Sequence, residues 1–232
     1  MLEVRDVSFS YPDGHAALRG VNITFPKEHI LGILGKSGSG KTTLLKCIGR
    51  FLMPQSGRIE LEGRDIRELP RRELRRSIGI VFQQLYLFPH LTVLENMTLA
   101  PRKVMKKDAH EAEREARQTL EKLGIGELAD KYPAQISGGQ AQRTAIARSL
   151  LLKPDYLLLD EPTAALDVDT TREFGQWLLD LKAETTFVIV THDILFASKI
   201  ASSGALLTGG EVTHTGPMRE ILETAGYVEE EE

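Results

Sequence analysis

Two periods of hydrophobic position run through this chain. Residues 2–25 alternate apolar and polar positions around a turn at Pro12-Asp13-Gly14, which predicts strands over 2–9 and 17–25. Three short runs are apolar throughout: Ile30-Leu31-Gly32-Ile33-Leu34, Tyr156-Leu157-Leu158-Leu159 and Phe187-Val188-Ile189-Val190. Such runs predict strands buried on both faces. Residues 77–82 predict another strand. Two hairpins are expected, one at 57–61 with 65–66 and one at 205–207 with 212–214 around Gly209-Gly210.

The second period is helical. Ala109, Ala112, Ala116, Leu120 and Leu123 recur at spacings of three or four, so 108–123 is a helix that Gly124 stops. Ser137 is a good N-cap for a helix over 137–152, which ends before Lys153-Pro154. A helix is expected over 171–182, where Trp177 is a packing residue. The stretch 88–153 is helix-rich and interrupts the strand-and-helix alternation on either side. The expectation is a single domain over 1–232. Residues 1–87 and 154–232 make an α/β core with a mainly parallel sheet and an N-terminal antiparallel β subdomain, and 88–153 is an inserted helical subdomain.

Composition narrows the function. The chain has 232 residues, 41% hydrophobic, with a net charge of −4, so no basic footprint points to nucleic acid. Arg71, Arg72, Arg75 and Arg76 form a local basic cluster that reads as a solvated helix face. The single cysteine, Cys47, excludes an internal disulfide framework and fits a reducing compartment as a small buried residue. No apolar run approaches the roughly 18 residues that span a bilayer. Charges at Glu3, Arg5 and Asp6 come too early for a signal peptide. Any membrane role is then peripheral, through a partner. The like-charge run 229–232 is expected to be disordered.

Candidate chemistry sits where buried strands end. After Leu34 come Gly35, Lys36, Ser37, Gly38, Ser39, Gly40, Lys41 and Thr42, two glycines flanking four residues, then Lys and Thr. A strand precedes this phosphate-binding loop and a helix over 42–48 follows it, which is the context of P-loop NTPases. Its backbone N–H groups can curl around phosphate oxygens, and the helix N-terminus adds positive potential. Lys41 is expected to reach the β- and γ-phosphates and Thr42 to ligate Mg²⁺. Asp160-Glu161 ends a second strand and His192 a third, and one crevice at the carboxyl ends of a parallel sheet can collect all three. There Asp160 can hold Mg²⁺ and Glu161 can polarise an attacking water. Gln83, at the end of a fourth strand, can ligate Mg²⁺ or orient a water. Tyr11 is either an ordinary turn residue or a platform for a base. The apolar run 85–91 is either tucked inward or kept for a partner.

At these residues the chain resembles the nucleotide-binding subunits of ABC transporters. The resemblance covers nearly the whole chain, with several motifs in the family's order. Its signature sequence, usually Leu-Ser-Gly-Gly-Gln, appears as Ile136-Ser137-Gly138-Gly139-Gln140, and it is the most specific of them. The Q-loop glutamine falls on Gln83, the D-loop on Ala164-Ala165-Leu166-Asp167, the H-loop histidine on His192 and the adenine-stacking aromatic on Tyr11. Ile136 stands for the usual Leu, and Ala164 for a Ser. Neither departure touches Lys41, Gln83, Glu161 or His192. The run from Phe82 to Asn96, with Phe196-Ala197 after His192, looks like the importers of polar amino acids. The stretch from Ser202 matches less well. The chain's length, without the extra regulatory domain of sugar importers, argues against sugar import.

The resemblance implies an ATPase with a RecA-like P-loop core that takes ATP and Mg²⁺. Gly35 to Thr42, with Thr43 and Tyr11, would bind nucleotide. Thr42, Gln83 and Asp160 would serve the metal, and Glu161, His192 and Gln83 the chemistry. Ser137, Gly138, Gly139, Gln140 and Asp167 would act across a dimer, homodimeric or with a paired ATPase subunit, that sandwiches ATP. It implies transmembrane permease subunits docked through 85–91, where the family receives a short cytoplasmic helix, and a periplasmic-type binding protein acting indirectly. The expected location is cytoplasmic, peripheral on the inner face of the membrane. A chromosome or DNA-repair ATPase would need sustained heptads or a zinc module, which this sequence lacks. An ATPase of iron–sulfur assembly or cell division would share the core motifs, and the run 85–91 favours transport over it.

Overall fold

A computed structural model describes residues 1–27 and 30–226. The acidic run 229–232 lies outside the described residues. The strands are β1 (Leu2–Ser10), β2 (Ala16–Phe25), β3 (Ile30–Leu34), β4 (Ser56–Leu61), β5 (Arg64–Asp65), β6 (Ile78–Val81), β7 (Tyr156–Asp160), β8 (Thr186–Thr191), β9 (Ser203–Thr208) and β10 (Glu211–Pro217). The helices are α1 (Lys41–Ile48), α2 (Arg71–Ser77), α3 (Val93–Lys103), α4 (Ala109–Lys122), α5 (Gly138–Leu150), α6 (Val168–Leu181), α7 (Ile194–Ile200) and α8 (Met218–Thr224).

The strands form two sheets. One is antiparallel in the order β2-β1-β4-β5; the other runs β10-β9-β3-β8-β7-β6, parallel except for the β9–β10 hairpin. The apolar runs take the central places, and every residue of β3, β7 and β8 is buried. Successive strand residues face opposite ways, so each run feeds two cores. Leu157 and Leu159 of β7, with Phe187 and Ile189 of β8, pack against the helices α3 to α8. Tyr156 and Leu158, with Val188 and Val190, pack against α1 and the antiparallel sheet, and Cys47 is buried there too.

Tyr156 also joins the sheets. Its hydroxyl donates to the Phe25 carbonyl at 3.0 Å and accepts from the Leu2 N–H at 3.1 Å. Two backbone groups of the antiparallel sheet are thereby satisfied inside the core, where leaving them unmade costs about 1–3 kcal/mol each.

Among the described residues, the stretch 88–153 holds α3, α4, α5 and two short 3-10 turns, and no strand. Helix α4 buries Ala112, Ala116 and Leu120 as its spacing predicts, and Asp108 caps it by accepting from the His110 and Glu111 N–H groups. Helix α6 starts three residues before its expected start, because Asp167 caps it by accepting from the Thr170 N–H at 2.8 Å. Three helices, α3, α7 and α8, carry no sequence expectation. The first has a readable signal, since Thr92 and Glu95 form a reciprocal capping box, but Pro101 inside it masks the period.

Candidate nucleotide site

Strands β3, β8, β7 and β6 are consecutive in the sheet, so their carboxyl ends bring Gly35, His192, Asp160 and Gln83 to one edge. A cleft of about 410 Å³ opens there, bounded by Ser37, Gly38, Gly40, Lys41, Thr42 and Thr43 on the loop side. Gln83, Glu161 and His192 face them, and Tyr11, His15 and Ala17 close the end.

The loop is shaped by its glycines. Gly38 and Gly40 have φ of 78° and 105°, in the region L side chains avoid. A Cβ on Gly35 would lie 2.3 Å from the Leu207 carbonyl oxygen, and one on Gly40 would lie 2.3 Å from that of Ala17. Lys41 is buried, and its ammonium donates to the Gly35 carbonyl at 2.7 Å and the Lys36 carbonyl at 3.1 Å. Helix α1 thus begins with a cation among carbonyls and with no side-chain cap on its first amides. The Ser39 hydroxyl is buried without a hydrogen-bond partner among the described residues.

Asp160 and Glu161 are adjacent in sequence and held apart in role. Asp160 accepts from the Thr42 hydroxyl at 3.0 Å. Burial pushes its carboxyl above the ordinary range, the hydrogen bond from Thr42 offsets part of this, and the charge of Glu161 adds to it. Glu161 has φ of 47°, a conformation rare outside glycine and frequent at functional sites. This turn sends its carboxylate the other way. One oxygen takes three donors: the Thr191 hydroxyl at 2.9 Å, the His192 N–H at 3.2 Å and His192 Nδ1 at 2.9 Å, when Nδ1 carries the proton. The other oxygen lies 3.5 Å from the Lys41 ammonium. A carboxylate oriented on both sides, at the mouth of a phosphate loop, can accept a proton from a water.

Tyr11 contacts the loop through its hydroxyl, 3.1 Å from that of Thr43, and packs edge-on against Phe9. Tyr11 lines the end of the cleft. The donors at Thr42 and Asp160 are all oxygen, the chemistry Mg²⁺ prefers. Among the described residues no group of three or more His, Cys, Asp or Glu could hold an ion alone.

Ser137 to Gln140 and Asp167 are not in this cleft. They form a second surface. Ser137 caps α5, its hydroxyl accepting from the Gln140 N–H at 3.3 Å while the Gln140 side chain accepts from the Ser137 N–H at 2.8 Å. A Cβ on Gly138 would lie 3.5 Å from the Ala165 carbonyl, so the loop before α6 packs beside this helix start. Val168, next to Asp167, is 86% exposed. Sequence reasoning missed His15, Ala17 and the Thr191 support for Glu161. Only the position of Thr191 directly before His192 hinted at its part.

A phosphate loop on the sheet's edge, an oxygen pair for a metal and an oriented carboxylate define a P-loop nucleoside triphosphatase. Comparison with known proteins goes further. The family model described as ABC transporter matches residues 18–164. The glutamine transport ATP-binding protein GlnQ of Geobacillus stearothermophilus is 40% identical over 96% of this chain and 93% of its own length. The glutamate transport ATP-binding protein GluA of Corynebacterium glutamicum is 43% identical over 90% of this chain and 88% of its own. A solved ATP-binding cassette, a dimer in a post-hydrolysis state bound to ADP and Pi, superposes with a TM-score of 0.84. It is 35% identical and covers 94% of this chain and 99% of its own. The chain belongs to the ABC transporter family, as an ATPase of the ATP-binding cassette type. No helix among the described residues is long and apolar enough to cross a membrane.

Proposed function

We propose that this chain is the ATP-hydrolysing subunit that powers a membrane importer of polar amino acids. The observation that carries it is the separation of the two anion-directed helix starts: α1 opens into the cleft, and α5 opens onto a different surface. Two chains facing each other would bring the Ser137–Gln140 start of one to the phosphate loop of the other, enclosing ATP between them. The dimeric cassette bound to ADP and Pi supports this arrangement.

In this scheme the loop amides and Lys41 hold the phosphates, with the Lys41 ammonium exchanging carbonyl partners for phosphate oxygens. Tyr11 stacks on the base. Thr42, Gln83 and Asp160 would hold Mg²⁺, which neutralises charge developing on the phosphates. Glu161 takes the proton of the attacking water, and His192 keeps its carboxylate in place. Asp167 holds the loop that meets the partner chain. Residues 88–153 act as the unit that carries Ser137 towards the partner's nucleotide.

The permease side is the groove beside residues 85–91. Leu85 and Leu87 pack inward on the core, whereas Tyr86 and Phe88 are exposed at its edge. Leu85 and Leu87 follow the inward alternative for the run, and the exposed half suits a permease helix. The subunit would then lie on the cytoplasmic face of the membrane, with a periplasmic-type binding protein acting through the permease. The substrate class rests on the likeness to the glutamine and glutamate transport ATP-binding proteins. Uptake of a polar amino acid by vesicles holding this subunit and its permease tests that class, and ATP-driven uptake of another class overturns it.

The chemistry is tested with Glu161→Gln, which keeps the shape and removes the base. ATP still binds, a nucleotide-bound dimer accumulates on size exclusion, and turnover falls by about 10²–10⁴. Steady-state hydrolysis near the parent's rate removes Glu161 from the role.

A further inference from the structure

The loop between β6 and α3 carries Gln83 at its start and the exposed Tyr86 and Phe88 further on. Two side chains from different helices hold it. Asn96, in the first turn of α3, is buried and binds both the N–H and the carbonyl of Phe88, at 2.8 and 3.1 Å. That tie is local, since α3 continues directly from the loop.

The other tie is long-range. Arg148 stands in the last turn of α5. One nitrogen of its guanidinium donates to the Tyr86 carbonyl at 2.8 Å, and the other to the Leu85 carbonyl at 3.0 Å. Tyr86 has φ of 48°, in the left-handed region that disfavours a bulky side chain, so its conformation must be held from outside. The fork holds the carbonyls on either side of that residue's own N–H. Among the described residues no carboxylate pairs with Arg148. Burial pushes its guanidinium below its ordinary value, so the cation is desolvated with only carbonyls in return. Such an arrangement is a costly way to fill space and a good way to fix two successive peptide groups, because one planar fork donates to both at once.

We infer that Arg148 is a positioning residue that sets Gln83 through the Leu85 and Tyr86 carbonyls. Helix α5 is a stiff rod of thirteen residues with Ser137–Gln140 at one end and this fork at the other. The inference rests on the role proposed for Gln83.

A double-mutant cycle tests it, with single-chain ATP affinity, kcat and thermal melting measured for Arg148→Met, Gln83→Ala and the pair. Arg148→Met is expected to bind ATP within about twofold of the parent and to lose kcat about tenfold, a coupling of the usual size. The double variant is expected to turn over no more slowly than Gln83→Ala alone. Arg148→Lys, which keeps the charge but cannot bridge both carbonyls, should recover part of the loss. It replaces Met in the cycle if Arg148→Met does not fold. Losses that multiply in the double variant, or parental kcat in the single Arg148 variant, overturn the inference while leaving Gln83 its role. A parental kcat in Gln83→Ala removes the role of Gln83 itself, and the inference with it.

Discussion

Helices α1 and α5 both begin on glycine-rich sequence, yet their starts are built differently. At α1 the first amides have no side-chain cap, the preceding Gly40 has φ of 105°, and no Cβ fits there. At α5 a side chain does the capping, the backbone before it is extended, and Gly138 has room for a methyl group. The first start is therefore committed to a ligand by its own fold, with Lys41, Asp160 and Glu161 gathered around it. The second is satisfied within its own chain, because Ser137 and Gln140 cap each other, and that cap does not take up the Gly138 and Gly139 amides. In the proposed two-chain scheme, one is a completed half-site and the other an offered one.

The largest effect expected from breaking this contrast is at Ser137. Ser137→Arg puts a bulky cation where a small cap should meet another chain's phosphate. Hydrolysis and ATP-driven dimerisation should be lost, while nucleotide still binds the single chain, read by fluorescent nucleotide titration and light scattering. Hydrolysis by that variant as a monomer would end the two-chain scheme.

A paired substitution measures the difference in the backbone itself. Gly40→Ala forces a Cβ against the Ala17 carbonyl at a φ that alanine avoids, and should cost about 2–4 kcal/mol in denaturant unfolding. Gly138→Ala should unfold within about 0.5 kcal/mol of the parent, with its loss confined to hydrolysis. Equal stability losses in the two would mean that the helix starts are alike after all.

The smallest effect concerns Asp160, which supports α1 through Thr42. Its folded-state pKa lies above the ordinary 3.8, mainly through burial. The folded chain therefore keeps that proton to higher pH than the unfolded chain does. Ionisation costs stability, and the cost sets in as pH rises above the ordinary value. Asp160→Asn should melt a few degrees higher than the parent at pH 7, with the gap closing as pH falls towards 3.8, while metal-dependent hydrolysis is lost. A lower melting temperature at pH 7 would show that the carboxylate stabilises the fold.

Much of this contrast was legible in the sequence. The phosphate loop announces itself because glycine, lysine and threonine are each required at fixed places. The runs of β3, β7 and β8 announce burial because nothing in them is polar. Ser137 reads as a cap from its neighbours alone. What was not legible is non-local. The sheet order that puts Gln83 and Gly35 on one edge depends on pairings between strands far apart in the chain, such as β3 with β8. His15 joins the cleft only because the antiparallel sheet folds over it. The Arg148 fork is invisible to periodicity, since an arginine on a helix of a charged protein looks like a solvated one. Helices α7 and α8 are seven residues each, too short for a period to emerge.

The hydroxyl of Tyr156 sets an order on how the molecule can be made. Its two partners, Leu2 and Phe25, lie 154 and 131 residues before it. As the chain emerges during synthesis, the antiparallel sheet can pair its own strands early, but the inner edge it presents to the core stays unfastened until residue 156 arrives. The parallel strands wait in the same way, because β3 lies between β8 and β9, both of which come still later. The nucleotide cleft, lined by the first half of the chain and by Glu161 and His192 of the second, is therefore among the last parts of the molecule to be finished.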